Sequence, residues 1–354
     1  MKALVLGQGK SGKAAADALR RRGFSVDFAD GYDLVVASPG VPVKSELQLG
    51  CEALKARGWR LLAVTGSKGK SSVVKLVADA ISLAGGRAIP CGNYGRPVCD
   101  LLGEEPAGWA VVEVSSFQLE TTSLASDTFE AAVVLNLQED HLNRHGSLSV
   151  YHGLKKKLLG FSKSGAVGAA PSKTTAGLIQ GSYFDNEILR ENGAAAVFLM
   201  RAAGLGDAAI RRAFLAFEPL PHRFQKVAEK DGVAFVDDSK ATSMAALVAG
   251  VKMCAGPVRL IAGGLPKGDD PKIASSILTN KVKKVYLIGQ CAETLFSAWS
   301  NAVDCEVCGT LERAVGAAKR EAAKGETVLL SPGTASFDQF KSFEERGDAF
   351  ARLI

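Results

Sequence analysis

The sequence predicts an α/β fold of three consecutive α/β units built on parallel strands. Strand-length apolar runs alternate with helical stretches along the whole chain, two of those runs end in glycine-rich turns that open a helix, and other strand ends carry loops of small and charged residues. At 354 residues the chain is also too long for one compact core. The expected divisions are 1–59, 60–220 and 221–354.

In order, Ala3 to Leu6 reads as a strand, Gly12 to Arg22 as a helix, Val26 to Ala29 and Leu34 to Ser38 as strands, and Ser45 to Arg57 as a helix. A second unit opens with strand Leu61 to Val64 and helix Lys70 to Ala84. Strands Trp109 to Val114 and Ala131 to Leu135 follow, with helices near Ser147 to Phe161, Glu187 to Ala203 and Asp207 to Ala216. Pro219-Leu220-Pro221 breaks the pattern and reads as a linker. The third unit has strands Val233 to Asp237, Val258 to Ala262, Lys284 to Ile288 and Thr327 to Leu330.

Composition excludes several classes. Hydrophobic residues at 47% and charged residues at 23% are those of a globular protein in water. No apolar run reaches membrane-spanning length and Met1 to Leu6 lacks a signal-peptide core, so a cytoplasmic protein without membrane insertion is expected. Seven cysteines, an odd and scattered number, argue against a disulfide framework, and Cys305-Glu-Val-Cys308 is a lone CxxC without the second pair a structural zinc requires. The net charge of +6 is dispersed, with no basic run interleaved with aromatics, which favours an anionic small substrate over nucleic acid.

The most informative stretch is Val64-Thr65-Gly66-Ser67-Lys68-Gly69-Lys70-Ser71-Ser72. A strand runs into a glycine turn that points backbone N–H groups and a helix start at one spot, where a polyphosphate fits. Lys70 reaches its terminal phosphates and Ser71 ligates their magnesium ion; the plainer alternative is a Gly/Ser helix start. Downstream, Glu113-Val-Ser115-Ser116-Phe-Gln-Leu-Glu120 and Asn136-Leu-Gln-Glu-Asp-His141 each follow a strand. Parallel neighbours bring Glu113 and His141 to the ligand edge beside Lys70, where a carboxylate and an imidazole can hold magnesium. His145 and His152 read as surface histidines. Of Lys155, Lys156 and Lys157, two read as a solvated helix face.

Gly7-Gln8-Gly9-Lys10-Ser11-Gly12 is a GxGxxG turn with Asp30 at the end of the next strand, compatible with any diphosphate from a dinucleotide to a nucleotide-sugar. Ser38-Pro39-Gly40 is either a plain turn or part of that pocket. In the third unit Leu220-Pro-His-Arg223-Phe, Asp237-Asp238-Ser-Lys240-Ala-Thr242, Gly263-Gly-Leu-Pro-Lys267-Gly and Ser331-Pro-Gly-Thr-Ala-Ser336-Phe337-Asp338 are strand-end loops. Together they suit a dicarboxylate or a phosphate.

Six stretches, Thr65 to Ser71, Glu113 to Glu120, Glu139-Asp140-His141, Leu220 to Phe224, Asp238 to Thr242 and Ser336 to Phe343, resemble in order the motifs of the Mur ligase family, most closely its D-glutamate-adding type. The resemblance runs over nearly the whole chain. It implies a Rossmann-like N-terminal domain, a P-loop-type mononucleotide-binding central domain and a Rossmann-like C-terminal domain. It also implies ATP- and Mg2+-dependent amide-bond formation between UDP-N-acetylmuramoyl-L-alanine and D-glutamate through an acyl phosphate, by a cytoplasmic enzyme expected to be a monomer.

By matching motif, Gly66, Ser67, Lys68, Gly69, Lys70, Ser71, Ser72, Asn192, Arg223, Asp238 and Lys240 would serve ATP. Ser71, Glu113, His141 and Lys155, the last as a carbamate, would hold metal, with Lys70, Glu113, His141 and Lys155 as the catalytic set. Lys10, Ser11, Asp30, Ser38, Asn93, Ser115 and Ser116 would bind the UDP-sugar, and Thr242, Lys267, Ser336 and Phe337 the D-glutamate. The sequence departs from the family pattern in a shorter first domain, in Leu189 for an adenine-side asparagine, in Lys68 for the turn's asparagine and in Leu265 for an acidic residue. Rival readings are a nicotinamide-dependent oxidoreductase, which leaves the phosphate turn idle, a catalytically silent relative, and a Mur-type ligase for another amino acid.

Overall fold

The computed structural model describes residues 1–31, 43–138, 141–168 and 172–354. The chain forms two compact units, Met1–Phe217 and Glu218–Ile354.

The first unit opens with β1 (Lys2–Leu6), α1 (Lys10–Arg21) and β2 (Ser25–Ala29), a parallel pair in which Val5 lies opposite Phe28. The strand expected over Leu34 to Ser38 lies outside the described residues. After α2 (Glu46–Ala56), N-capped by the Ser45 side chain, come β3 (Arg60–Thr65), α3 (Lys70–Leu83), β4 (Ala88–Gly92), β5 (Trp109–Glu113), α4 (Ser116–Thr121) and β6 (Ala131–Val134). The unit continues with α5 (Leu142–His145), α6 (Leu148–Lys157), β7 (Gly165–Val167), α7 (Lys173–Ile179), α8 (Arg190–Ala202) and α9 (Asp207–Ala216). Five strands form one parallel sheet in the order β4-β5-β3-β6-β7.

The apolar run of β3 is buried on both faces, as a central parallel strand requires. Leu62 and Val64 pack with α3, α8 and α9, while Leu61 and Ala63 pack with Ala14, Ala18, Leu47 and Leu54 of α1 and α2. The helices of the first sixty residues therefore cover one face of the central sheet. Because the chain leaves β3 for the edge strand β4 and later crosses over to β6, a crevice opens at the carboxyl end of β3, between β5 and β6.

The second unit holds β8 (Gln225–Lys230), β9 (Val233–Asp237), α10 (Met244–Met253), β10 (Val258–Gly263), α11 (Ser275–Lys281), β11 (Val282–Ile288), α12 (Ala292–Trp299), β12 (Asp304–Gly309), α13 (Leu311–Glu321), β13 (Thr327–Leu330) and α14 (Phe343–Leu353). Its sheet runs β12-β11-β10-β13-β9-β8, parallel except for the edge strand β8. Leu260, Ala262, Val285, Leu287 and Leu329 pack on one face with Leu247, Val251, Leu295 and Trp299. Phe235, Ile261, Tyr286, Val328 and Leu330 pack on the other with Leu311, Val315 and Phe350.

Candidate functional site

The turn after β3 is built by backbone conformation. Gly69 has φ of 85° and caps α3, and a Cβ there would stand 2.3 Å from Nδ2 of buried Asn192. Gly66, at φ of 148°, would push a Cβ to 2.9 Å from Leu135 Cβ. Only glycine suits both positions. Lys70 Nζ folds back to donate to the carbonyls of Gly66 (2.9 Å) and Ser67 (3.2 Å), and Lys155 Nζ donates to the same Gly66 oxygen at 2.9 Å. Lys155 is 2% exposed and lies over the Tyr151 ring, whereas Lys156 and Lys157 are exposed.

Strand order brings the acid into place. Glu113 ends β5 opposite Val64, and its buried carboxylate accepts from Ser71 Oγ (2.7 Å) and from Asn93 Nδ2 (2.8 Å). A serine hydroxyl and a carboxylate are the hard oxygen donors that magnesium takes, so these residues fit the ion. Among the described residues no three His, Cys, Asp or Glu side chains cluster as a metal site. His141 is exposed, with a φ of 55°, and its ring centroid lies 5.0 Å from Phe117 and 6.3 Å from Tyr151. Tyr151 in turn lies 3.1 Å from Ser67 Oγ, which links the histidine loop to the turn.

Lys68 and Asn192 are held by one residue, Asn136: its Oδ1 accepts from Lys68 N–H at 2.9 Å and its Nδ2 donates to Asn192 Oδ1 at 3.4 Å. Ser72 is half-buried in the first turn of α3. Ser115 and Gln118 form a reciprocal capping box at the start of α4. Ser116 is buried, 3.0 Å from His145 Nε2, and His145 Nδ1 lies 3.1 Å from Glu120, which Arg144 also grips. His145 was expected on the surface, but its imidazole is almost wholly enclosed by α4 and Tyr151. That burial comes from a helix lying 25 residues earlier in the chain, invisible to local pattern.

In the N-terminal turn Lys10, Ser11 and Asp30 are exposed, with Asp30 Oδ1 accepting from Gly31 N–H. A Cβ at Gly12 would stand 2.0 Å from Gly7 O, which is why glycine closes the turn. Ser38 lies outside the described residues.

In the second unit the expected loops gather at the carboxyl ends of β9, β10 and β13. Asp238 Oδ1 accepts from Phe224 N–H (3.1 Å) and Oδ2 from Ser331 Oγ (3.0 Å), and burial pushes this carboxyl up to about 7. Arg223 is half-buried next to Phe224. Lys240 Nζ lies 3.9 Å from the centroid of the Phe343 ring. Lys267 is exposed and donates to Thr242 O at 3.4 Å. Ser336 is buried, and a two-way bridge between Leu265 and Ala335 (2.9 and 3.1 Å) joins its loop to the loop of Lys267. Phe337 is 68% exposed and stands out from this group. Phe343, which has no role that the sequence alone assigns, is the phenylalanine the fold brings beside Lys240.

Residues 64–178 match the Mur ligase middle domain, and residues 222–334 the Mur ligase, glutamate ligase domain. A UDP-N-acetylmuramoylalanine--D-glutamate ligase of Gloeobacter violaceus is 36% identical, over 99% of this chain and 98% of that one. One of Acidobacterium capsulatum is 32% identical over 446 aligned positions, covering 100% and 96%. The chain belongs to the Mur ligase family. As a Mur ligase it is an ATP-dependent, amide-bond-forming enzyme. The alignment of 446 positions takes in all of a chain of only 354 residues, so this Mur ligase is shortened internally. Its fold is shared with the MurF ligase of Thermotoga maritima in complex with ADP (TM-score 0.65, 15% identity, 99% and 93% covered) and with E. coli FolC in complex with DHPP and ADP (TM-score 0.60, 18% identity, 90% and 94% covered).

Proposed function

We propose that this Mur ligase joins D-glutamate to UDP-N-acetylmuramoyl-L-alanine, converting ATP to ADP and phosphate, in peptidoglycan precursor synthesis. The observation that carries the reading is the carboxyl end of β3, where Lys70 and Lys155 both donate to Gly66 of the phosphate turn and, at the residue after Lys70, Ser71 donates to Glu113, which also accepts from Asn93. The full-length likeness to ligases named for D-glutamate supports the amino acid.

In this reading the substrate carboxylate attacks the γ-phosphorus of ATP, giving an acyl phosphate and ADP. The amine of D-glutamate then adds to the acyl carbon and phosphate leaves, with loss of a proton from nitrogen. The backbone N–H groups of the turn and Lys70 hold the phosphates and offset the charge developing on them. Ser71, Glu113, His141 and a carbamylated Lys155 would hold Mg2+, which would offset phosphate negative charge. Asn192, Arg223, Asp238 and Lys240 serve the nucleotide. Thr242, Lys267 and Ser336 bind the D-glutamate carboxylates, with Phe337 in the same site. Residues 1–59 bear the UDP-sugar site through Lys10, Ser11, Asp30 and Ser38, with Asn93, Ser115 and Ser116 along the channel. Residues 60–220 are the ATPase domain and 221–354 the amino-acid domain. The enzyme works as a monomer in the cytoplasm, where nucleotide-activated sugars are made; among the described residues no helix is long and apolar enough to cross a membrane.

Phosphate release from ATP, measured with UDP-N-acetylmuramoyl-L-alanine and with D-glutamate, L-glutamate or L-lysine offered separately, tests the reading. Turnover is expected with D-glutamate alone. Release with L-lysine and none with D-glutamate would move the chain to another specificity, and tight NADH binding without ATP binding would overturn the ligase reading.

A further inference from the structure

His141 is exposed at φ of 55°, in the left-handed region that residues with a Cβ enter sparingly. Such a conformation persists only where neighbours hold it. Two anchors do so. Three residues before, Gln138 is bonded in both directions to Ser67 of the phosphate turn, its N–H donating to Oγ (3.0 Å) and its carbonyl accepting from Oγ (2.9 Å). Four residues after, His145 N–H donates to His141 O at 3.0 Å, and the His145 side chain is buried.

That imidazole is bound at both nitrogens. Hydrogen bonds from Arg144 hold the Glu120 carboxyl below its usual range, so Glu120 is ionised at neutral pH and only accepts. His145 Nδ1, 3.1 Å from it, therefore carries the proton, and in the neutral ring Nε2 accepts from the Ser116 hydroxyl at 3.0 Å. Serine, histidine and glutamate in this order make a hydrolase triad. Ser116 is 2% exposed, however, so these bonds fix a position and present no nucleophile. The His145 ring also stacks on Tyr151, with centroids 5.4 Å apart and planes at 30°. Tyr151 in turn carries Lys155 Nζ at 4.6 Å from its ring centroid, and its hydroxyl lies 3.1 Å from Ser67 Oγ. The Phe117 ring lies 5.0 Å from His141 and 5.3 Å from His145. One buried ring thus joins α4 to the His141 loop and to the helix of Lys155.

We infer that His145 is a positioning residue for the metal site: through its bonds to Ser116 and Glu120 it fixes His141, and through Tyr151 it fixes Lys155, relative to the phosphate turn. This rests on the reading of His141 as a metal ligand. The plainer alternative is a staple of α5 to α4 that stabilises the fold alone.

The test is the affinity for Mn2+ of the enzyme bound to adenylyl imidodiphosphate, read from the electron paramagnetic resonance of the free ion, in the wild type, H141A, H145F and H145N. Urea midpoints establish folding, and phosphate release gives kcat and KM. H145F keeps a ring against Tyr151 and removes both hydrogen bonds. It is expected to weaken Mn2+ binding by about tenfold or more and to lower kcat to a similar degree, as loss of a group behind a metal ligand does. The KM for D-glutamate should stay within about threefold, because its assigned ligands lie in the second unit. H145N, whose amide still donates toward Glu120, should recover part of both losses. A folded H145F that binds Mn2+ as tightly as the wild type overturns the inference. If H145F does not fold, H145N with wild-type Mn2+ affinity overturns it. An H141A of undiminished affinity defeats the metal reading and the inference with it, whereas weak binding by H141A beside an unchanged H145F defeats the inference alone.

Discussion

Two lysine amines donating to one buried carbonyl pose a charge problem. Lys70 Nζ and Lys155 Nζ each stand 2.9 Å from Gly66 O, so the nitrogens are no more than about 6 Å apart, where two ammonium charges repel. Reaction of the Lys155 amine with carbon dioxide, with loss of a proton, turns that cation into an anionic oxygen donor and replaces repulsion from Lys70 with attraction. Lys155→Ala is therefore expected to lose activity and regain part of it with added acetate or formate. Lys156→Ala and Lys157→Ala, about 100° and 200° round the helix, should stay active. Rescue of Lys156→Ala instead would shift the register, and no rescue of any would remove the carbamate. Asp238 supplies a second test. Its carboxyl holds a proton up to about pH 7 in the fold, against about 3.9 in the unfolded chain, so between those values the folded state binds more protons and stability falls as pH rises. Asp238→Asn should flatten that slope in thermal midpoints measured from pH 4 to 7; an unchanged slope would assign it to other groups.

Glycine positions separate the two glycine-rich turns. At Gly69 the left-handed φ of 85° and the crowding by Asn192 both oppose a side chain, so Gly69→Ala should cost at least about 1–2 kcal/mol in urea unfolding and abolish turnover. Gly9 has φ of −67° with nothing within 4 Å of a built Cβ, and Gly9→Ala should fall within about 0.5 kcal/mol of wild type. A Gly69→Ala enzyme as stable as Gly9→Ala would mean that the turn relaxes freely. The same turn shows what sequence can carry. Strand β3, its glycines and the start of α3 at Lys70 were legible because they are local: an apolar run, a turn and a helix start read in order. Strands β4 and β8 carry no clear strand pattern in the sequence, since Pro90 interrupts the first and charged residues fill the exposed edge of the second. The capping box that starts α4 is written in the sequence as a serine three residues before Gln118, a local signal for that helix start. The approach of Phe343 to Lys240 and the burial of His145 depend on segments brought together from afar and had no local signal.

At the scale of the chain, two compact units divide after Phe217, and the sharing of cores between segments had no local signal. The buried cluster on one face of the central sheet mixes Ala14, Ala18, Leu47 and Leu54 with Leu61, Ala63, Val112 and Phe161. Residues 1–59 thus borrow their core from the strands that follow, although their motifs read as a separate functional segment. Both clusters of the second unit draw only on residues after Glu218, from Phe224 to Ile354. A segment of that size with its own two-faced core buries enough surface to fold alone. Residues 218–354 expressed separately should unfold in urea in one cooperative transition with a slope of about 1–3 kcal/mol/M. Residues 1–59 expressed separately should show no such transition, because the apolar faces of α1 and α2 would lack the sheet that covers them. Circular dichroism of the two fragments decides it. A cooperative 1–59 fragment would show that α1, α2 and the β1-β2 pair close a core without β3, and a non-cooperative 218–354 fragment would show that the second unit depends on the rest of the chain.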